Sequence, residues 1–459
     1  MDLLFLKGVS VFIRSVSKEL SQPCIATRNF TTSVQCFVKR KYPINEEESK
    51  LLPVFQYPVS SRSNRRVYVW GLAEHGALGN ALECTKSKRT PLKSVRHPNR
   101  LHFAEKHKIV DIACGYGFTA FAVDAKDGYK VFGCGINTDS QIGYHAPRRD
   151  HPLGLVLAPA PVELPVHSRV KKVAAGRAHL IVLSEREGAF TLGNNAYGQC
   201  GRRIIEDEKY SGSQTVHCIP SLDGAVIEKV FCGQDHSIFV TKNGDLYACG
   251  WGADGQTGLG TYDTVYTPTK LKGDVEGENI IKVSCAADCV LALNAKGEVF
   301  GWGNNEYGQL LLPTDLQQLN APRHIKLAGV GKVLDIASGG SFCLVVNDAG
   351  DVFVWGYGIL GVGPSVDHAK KPVLIPTTLF GRNEFSTESR IVSVAAGMSH
   401  MAAVTNYGDL YMWGRNRGGC LGLGHENNQF FPLRVAVGAQ VKKVSCGVDH
   451  TVALCQPYV

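Results

Sequence analysis

Short apolar-polar alternations, broken by glycine-bearing turns, run along most of this chain. The stretch 227–260, IEKVFCGQDHSIFVTKNGDLYACGWGADGQTGLG, shows the unit. IEKVFC and HSIFVT are joined by a turn, KNG turns the chain again, and DLYACG leads into a glycine-rich loop. Segments of five or six residues separated by turns this tight predict an antiparallel meander and exclude a long helix. The unit then recurs. Its first strand returns at 109–118 (IVDIACGYGF), 170–179 (VKKVAAGRAH), 280–289 (IIKVSCAADC), 333–342 (VLDIASGGSF), 391–400 (IVSVAAGMSH) and 441–450 (VKKVSCGVDH). Its third strand ends in glycine at 71, 135, 193, 250, 303, 356 and 414. Self-similarity at this period is the mark of a repeat architecture.

The two landmarks are out of phase at the ends. The chain enters on a last strand and loop, RVYVWGLAEHGALG at 66–79, and leaves on two first strands, VKKVSCGVDH and TVALC at 441–455. Six copies are whole and the terminal fragments are complementary halves of a seventh. A ring that pairs its own terminal strands removes the exposed edges an open array would leave. The pattern therefore predicts an all-β fold, a seven-bladed β-propeller over 66–459, closed by pairing N- and C-terminal strands in one mixed blade.

Composition agrees, with 50 glycines in 459 residues. No apolar run approaches the ~18 residues a membrane-crossing helix needs. Charge is uneven. Residues 1–41 carry Lys7, Arg14, Lys18, Arg28, Lys39, Arg40 and Lys41 against Asp2 and Glu19, with an apolar face at helical spacing. Basic, hydroxyl-bearing and acid-poor, this stretch reads as a mitochondrial transit peptide, with RNFTTS at 28–33 as a processing site. Residues 42–65 then read as linker. A second basic stretch is the long first inter-strand loop, 80–108, where Lys86, Lys88, Arg89, Lys93, Arg96 and Arg100 are RNA-contact candidates. Lysines and arginines there would hold phosphate oxygens and give affinity rather than base specificity. With the net charge at +8, the remainder of the chain is slightly acidic, so the propeller body is no nucleic-acid platform.

The fifteen cysteines give no disulfide framework, and Cys114, Cys232, Cys285 and Cys446 share a slot that Ala175, Ser338 and Ala396 fill elsewhere. Cys232 and Cys446 each precede a histidine by four residues, but two such pairs in separate blades cannot converge on one ion, so no metal is expected. His179, His236, His400 and His450 open second strands where Phe118, Cys289 and Phe342 stand in other copies, which predicts a packing slot whose histidines bond neighbouring backbone. GVGKV at 329–333 lacks the elements of a phosphate loop, and no GxSxG, HExxH or paired CxxC occurs. No catalytic residue, cofactor or small-molecule substrate is expected. Alternate turns of a meander lie on opposite faces. One face therefore carries Asp235, Asp288 and Asp449 together with the variable loops 194–199, 253–257, 304–309 and 415–420, and binding belongs there.

CGQDHSIFVTKNGDLYACGWGADGQTGLG and CGVDHTVAL resemble the repeat of the regulator-of-chromosome-condensation family, over about 66–455. WD-type and kelch propellers fit less well, because the terminal WD pair and the Gly-Gly strand pattern are missing. GYGFT at 115–119, GNNAYGQCGR at 193–202 and VWGYGILG at 354–361, with the basic N-terminal stretch, resemble the family's mitochondrial branch. The founding member is a nucleotide exchange factor for a small GTPase and works through acidic and histidine residues in the turn before the second strand. The resemblance thus implies Asp235, His236, Asp288, Asp449 and His450 as GTPase contacts. The family's hairpin wedge has no identifiable counterpart in this sequence: the longer linkers 144–169 and 202–226 could supply it, but nothing in their composition marks it. For the mitochondrial branch the resemblance implies two jobs. The first is a scaffold in biogenesis of the large mitochondrial ribosomal subunit, partnering its rRNA and the assembly and pseudouridylation factors. The second is nucleotide exchange on a dynamin-like fusion GTPase at the inner membrane. A rigid propeller without catalytic constellation suits the scaffold first, in the mitochondrial matrix.

Overall fold

The computed structural model describes residues 65–80, 93–145, 154–312 and 315–458. The expected transit peptide and all of the expected linker but residue 65 lie outside them. Twenty-eight strands, numbered β1 to β28 along the chain, form seven four-stranded antiparallel sheets. Blade 3 is representative: β11 (Ile227–Cys232), β12 (His236–Thr241), β13 (Leu246–Gly250) and β14 (Val265–Lys270), hydrogen-bonded in that order. Blades 1 to 6 follow the chain. The seventh joins β27 (Gln440–Cys446) and β28 (His450–Gln456) to β1 (Arg66–Leu72) and β2 (Ser94–Arg100), with Val69 opposite Val452. The ring closes on its own termini, as the repeat phase predicts.

The fourth strand of each blade was not visible in the repeat. It is the outer edge: β14 reads VYTPTK and β2 reads SVRHPNR, neither with a fully buried residue and both containing proline. Proline and polar residues suit an edge that must not recruit another chain. Part of the expected basic loop 80–108 is therefore strand β2, followed by a helical turn α1 (Phe103–Lys106). The two linkers likewise carry fourth strands, β6 (Leu155–Pro161) and β10 (Val216–Ile219).

Second strands are buried along their whole length, as in HSIFVT and HLIVLS. The apolar core accordingly sits between neighbouring blades rather than at the ring centre. Ile238, Val240 and Ala248 of blade 3 pack with Val283, Val290 and Trp302 of blade 4, and Tyr68 and Trp70 of blade 7 with Met412 and Leu421 of blade 6. The landmark glycine is explained by this packing. At all seven positions φ lies between +92° and +116°. At Gly250 a Cβ would sit 2.4 Å from the carbonyl oxygen of Asp235, in the turn opposite. Only glycine lets the third strand end this close to that turn.

Polar staples tie blade to blade. The tryptophan before the landmark glycine donates its indole N–H to a loop carbonyl of the preceding blade: Trp70 to Cys420 (2.8 Å), Trp302 to Gln256 (2.9 Å), Trp355 to Gln309 (2.7 Å) and Trp413 to Leu360 (3.2 Å). The histidine slot does the same with side chains. His179 meets Ser237 (3.1 Å), His400 meets Thr451 (3.1 Å) and His450 meets Thr119 (3.0 Å), each in the following blade. For His179 and His400 this corrects the expectation of backbone partners, whereas His450 also bonds the backbone of Phe118. Each hydroxyl already donates to a carbonyl, Gln199, Cys420 and Ala77 respectively. It can therefore only accept from the imidazole, which fixes a neutral ring protonated at Nε2. Where the slot holds Phe118 or Phe342, the following blade offers Leu180 or Met401 in the same core cluster. Where it holds Cys289, the thiol lies 3.9 Å from that of Cys343. His236 faces blade 4, where Val290 stands at the hydroxyl position, and neither ring nitrogen has a partner.

Candidate functional site

The turns between first and second strands and the loops after the landmark glycines share one face, because both lie at the same end of each meander: Gly250 pairs with His236. The loops look variable in sequence but share an internal frame. Gln141, Gln199, Gln256 and Gln309 are buried, and their side-chain oxygens accept the backbone N–H of Asp139, Tyr197, Asp254 and Tyr307 at 2.9–3.0 Å. Asn195, Asn305 and Asn416 likewise accept the N–H five residues on. Variation is confined to what each loop displays.

The three aspartates reach this face in different states. Asp235 is gripped from blade 2 by Arg177, with Nη2 at 2.6 Å and Nε at 3.1 Å, and its own side chain is only 11% exposed. Asp449 lies 3.3 Å from Arg417, which is 75% exposed. Among the described residues no cation is bonded to Asp288, and the Arg177 charge reaches it only weakly. Asp288 accepts only from the amides of Gln234 (3.1 Å) and Gln256 (3.0 Å). Burial, then the nearby Asp254 and Asp235 charges, push its carboxyl up to about 6. Two aromatic pairs bridge the blades on either side of it. Tyr197 meets Trp251 edge-on with centroids 4.6 Å apart, and Tyr307 stacks on Tyr357 at 5.3 Å. The aromatics escaped sequence reasoning because they sit at different offsets in successive loops.

His236 and His450 are not contacts. They are 0% and 2% exposed, beneath the turns, and belong to the blade-to-blade slot. Burial pulls the imidazoles of His179 and His400 down to about 3 and those of His236 and His450 to about 4, so all four stay neutral. Among the described residues, no three His, Cys, Asp or Glu side chains gather as metal ligands. No helix among them is long and apolar enough to cross a membrane.

Of the basic candidates, Lys86, Lys88 and Arg89 lie outside the described residues. Lys93 is exposed where β2 begins, at the turn face. Arg96 bonds Glu426 at 2.9 Å and keeps 54% of its side chain exposed, whereas Arg100 is paired with Glu105 at the opposite end of β2. The structure thus divides a basic stretch that the sequence presents as one patch.

Residues 59–384 match the RCC1-like domain, and 391–420 and 407–454 match the regulator of chromosome condensation (RCC1) repeat. The chain belongs to the RCC1-like family. Within that family it is 45% identical over 458 residues to the human RCC1-like G exchanging factor-like protein, covering 97% of this chain and 98% of that one. The mouse protein of that name is 49% identical over 424 residues, 89% of this chain and 91% of that one. The crystal structure of human WBSCR16 superposes with a TM-score of 0.81 at 46% identity, over 86% of this chain and all of that one. Prp20p of Saccharomyces cerevisiae superposes at 0.68 with 20% identity, over 87% of this chain and 93% of that one, and shares the RCC1-type fold.

Proposed function

We propose that the turn face is an exchange surface for a guanine-nucleotide-binding protein, a dynamin-like fusion GTPase in mitochondria. One observation carries this reading: Asp288 is an acid held at the working face without a bonded cation among the described residues, beside Asp254 and between two aromatic pairs. An exchange factor need only bind the nucleotide-free GTPase better than the loaded one. A carboxylate lacking its own counter-ion competes for the phosphate-binding lysine of such a protein. The Arg177–Asp235 and Arg417–Asp449 pairs would exchange partners with charged groups around it. The names of the human and mouse relatives point the same way. Release of a fluorescent GDP analogue from the GTPase tests the reading. Asp288→Asn keeps the shape and removes the charge, and should slow stimulated release about tenfold, equivalent to ~1.4 kcal/mol of lost stabilisation. Stimulation should also fall as pH drops through about 6, where Asp288 takes up its proton. Full stimulation by folded Asp288→Asn protein refutes it.

A second reading, a scaffold for large-subunit rRNA and its assembly factors in the mitochondrial matrix, is favoured by Lys93 and Arg96. Both are exposed along the outer edge of the mixed blade, next to the segment carrying Lys86, Lys88 and Arg89. This edge is separate from Asp288, so one propeller could serve both partners.

A further inference from the structure

Neither reading uses the ring's axis. The seven innermost strands, β3 (Ile109–Cys114), β7 (Val170–Ala175), β11, β15 (Ile280–Ser284), β19 (Val333–Ser338), β23 (Ile391–Ala396) and β27, enclose a cavity of about 490 Å³. At the turn face Tyr116 lies across it, its hydroxyl reaching the Ala286 carbonyl and the Met398 sulfur, each at 3.5 Å. The opposite mouth is charged. Every innermost strand shifts register just before one equivalent residue: Asp111, Lys172, Lys229, Lys282, Asp335, Ser393 and Lys443. Four of those seven residues are lysines and two are aspartates.

The charges do not cancel evenly. Lys443 pairs with Asp111 at 2.6 Å, and Lys282 pairs with Asp335. Both acids hold further bonds. Asp111 also accepts the Val173 N–H, and Asp335 accepts the Ser393 hydroxyl and the Val394 N–H. What remains is Lys172 and Lys229, on adjacent blades. Lys229 donates to the Ile281 carbonyl at 2.5 Å and bonds no carboxylate, and Lys172 bonds no partner among the described residues. Glu228, the nearest acid, stands 3.7 Å from Lys171. Lys171 and Lys229 therefore both feel Glu228, and Lys172 stands exposed beside them with no carboxylate among the described residues bonded to it. Burial holds the Lys229 ammonium below its ordinary range against the opposing attraction of Glu228, and Lys172 adds a smaller lowering.

We propose that the mouth of the axial cavity at Lys172 and Lys229 binds a small phosphate-class dianion. Two like charges fixed side by side repel, and a dianion between them turns that repulsion into attraction. The cavity is within the size range of small-ligand sites. Tyr116 lies across its other end, so the lysine mouth is the charged entrance. The shared chemistry is a phosphate group, supplied either as an inorganic anion or as the tail of a nucleotide.

Isothermal titration of the full chain at low ionic strength, with pyrophosphate and a nucleoside diphosphate in parallel, tests this. Saturable one-to-one binding of either is expected, weakening with added salt as exposed charges are screened. The tighter of the two identifies the source. Lys172→Ala/Lys229→Gln should weaken binding at least tenfold, while Lys242→Ala, an exposed lysine on the 242–244 turn, should leave it unchanged. The double variant removes the Lys172–Lys229 repulsion together with the Lys229 bond to the Ile281 carbonyl and its attraction to Glu228, so its unfolding midpoint without ligand should stay close to that of the parent. No saturable binding of either probe, or equal binding by the folded double variant, overturns the proposal.

Discussion

Acid should unfold this propeller through its histidine slot. The pKa of each of the four slot histidines lies at about 3 or 4 when folded, against about 6.5 in an unfolded chain. The folded value is the lower, so the unfolded chain takes up protons first as pH falls. The stabilisation is whole above about pH 6.5 and shrinks below it, by about 1.4 kcal/mol per histidine per pH unit. Lowering pH to about 5.5 should cost roughly 5 kcal/mol from the four together. Asp288 opposes this weakly. Its folded pKa is raised to about 6, so protonation there returns about 1 kcal/mol over the same range. The chain itself suggests the control. His400→Phe with Thr451→Met rebuilds the Phe342–Met401 version of the slot, and the Cys420 carbonyl keeps the indole N–H of Trp70 when Thr451 is lost. Urea unfolding at pH 7.5 and 5.5, followed by tryptophan fluorescence, reads the difference. The stability lost between the two pH values should be about 1.4 kcal/mol smaller in the double variant. An unchanged difference would show that buried histidine protonation does not govern acid sensitivity.

Gly250→Ala places a Cβ against the Asp235 carbonyl at positive φ and should cost about 3 kcal/mol or more, read as a lowered urea midpoint. Charge reversal of Lys86, Lys88, Arg89, Lys93 and Arg96 should weaken RNA association and flatten its dependence on log salt by nearly one unit for each phosphate no longer neutralised. A salt slope equal to that of the parent protein would remove this stretch from RNA binding.

The ring was legible in the sequence because its landmark glycines are forced by geometry: a carbonyl lies where any side chain would begin. The fourth strands were not, because an exposed edge has no apolar alternation to betray it, and proline within β14 argues against a strand. The face carrying Asp235, Asp288 and Asp449 followed from meander parity alone. Their differing states did not, since Arg177 comes from the preceding blade and Arg417 from a loop. The histidines misled for a related reason. A slot shared with phenylalanine correctly signalled packing, but the hydroxyl that completes it stands one repeat later and one position on, an offset that single repeats do not reveal. The axial lysines look like ordinary solvated strand residues until the ring brings seven equivalent positions together.

Closure through the mixed blade also sets an order of events. Residues 66–72 emerge early in synthesis, yet their inner neighbour, 450–456, arrives almost last, so β1 must wait with an unpaired edge while six other blades can already form. Such a pairing is as non-local as this chain permits, and long-range pairings of this kind are slow to form. Anything that holds the chain extended until these last strands appear shortens that exposed interval. Conversely, losing 440–456 removes the two inner strands of a blade rather than a tail, and turns a closed ring into an open one with a sticky edge at each end.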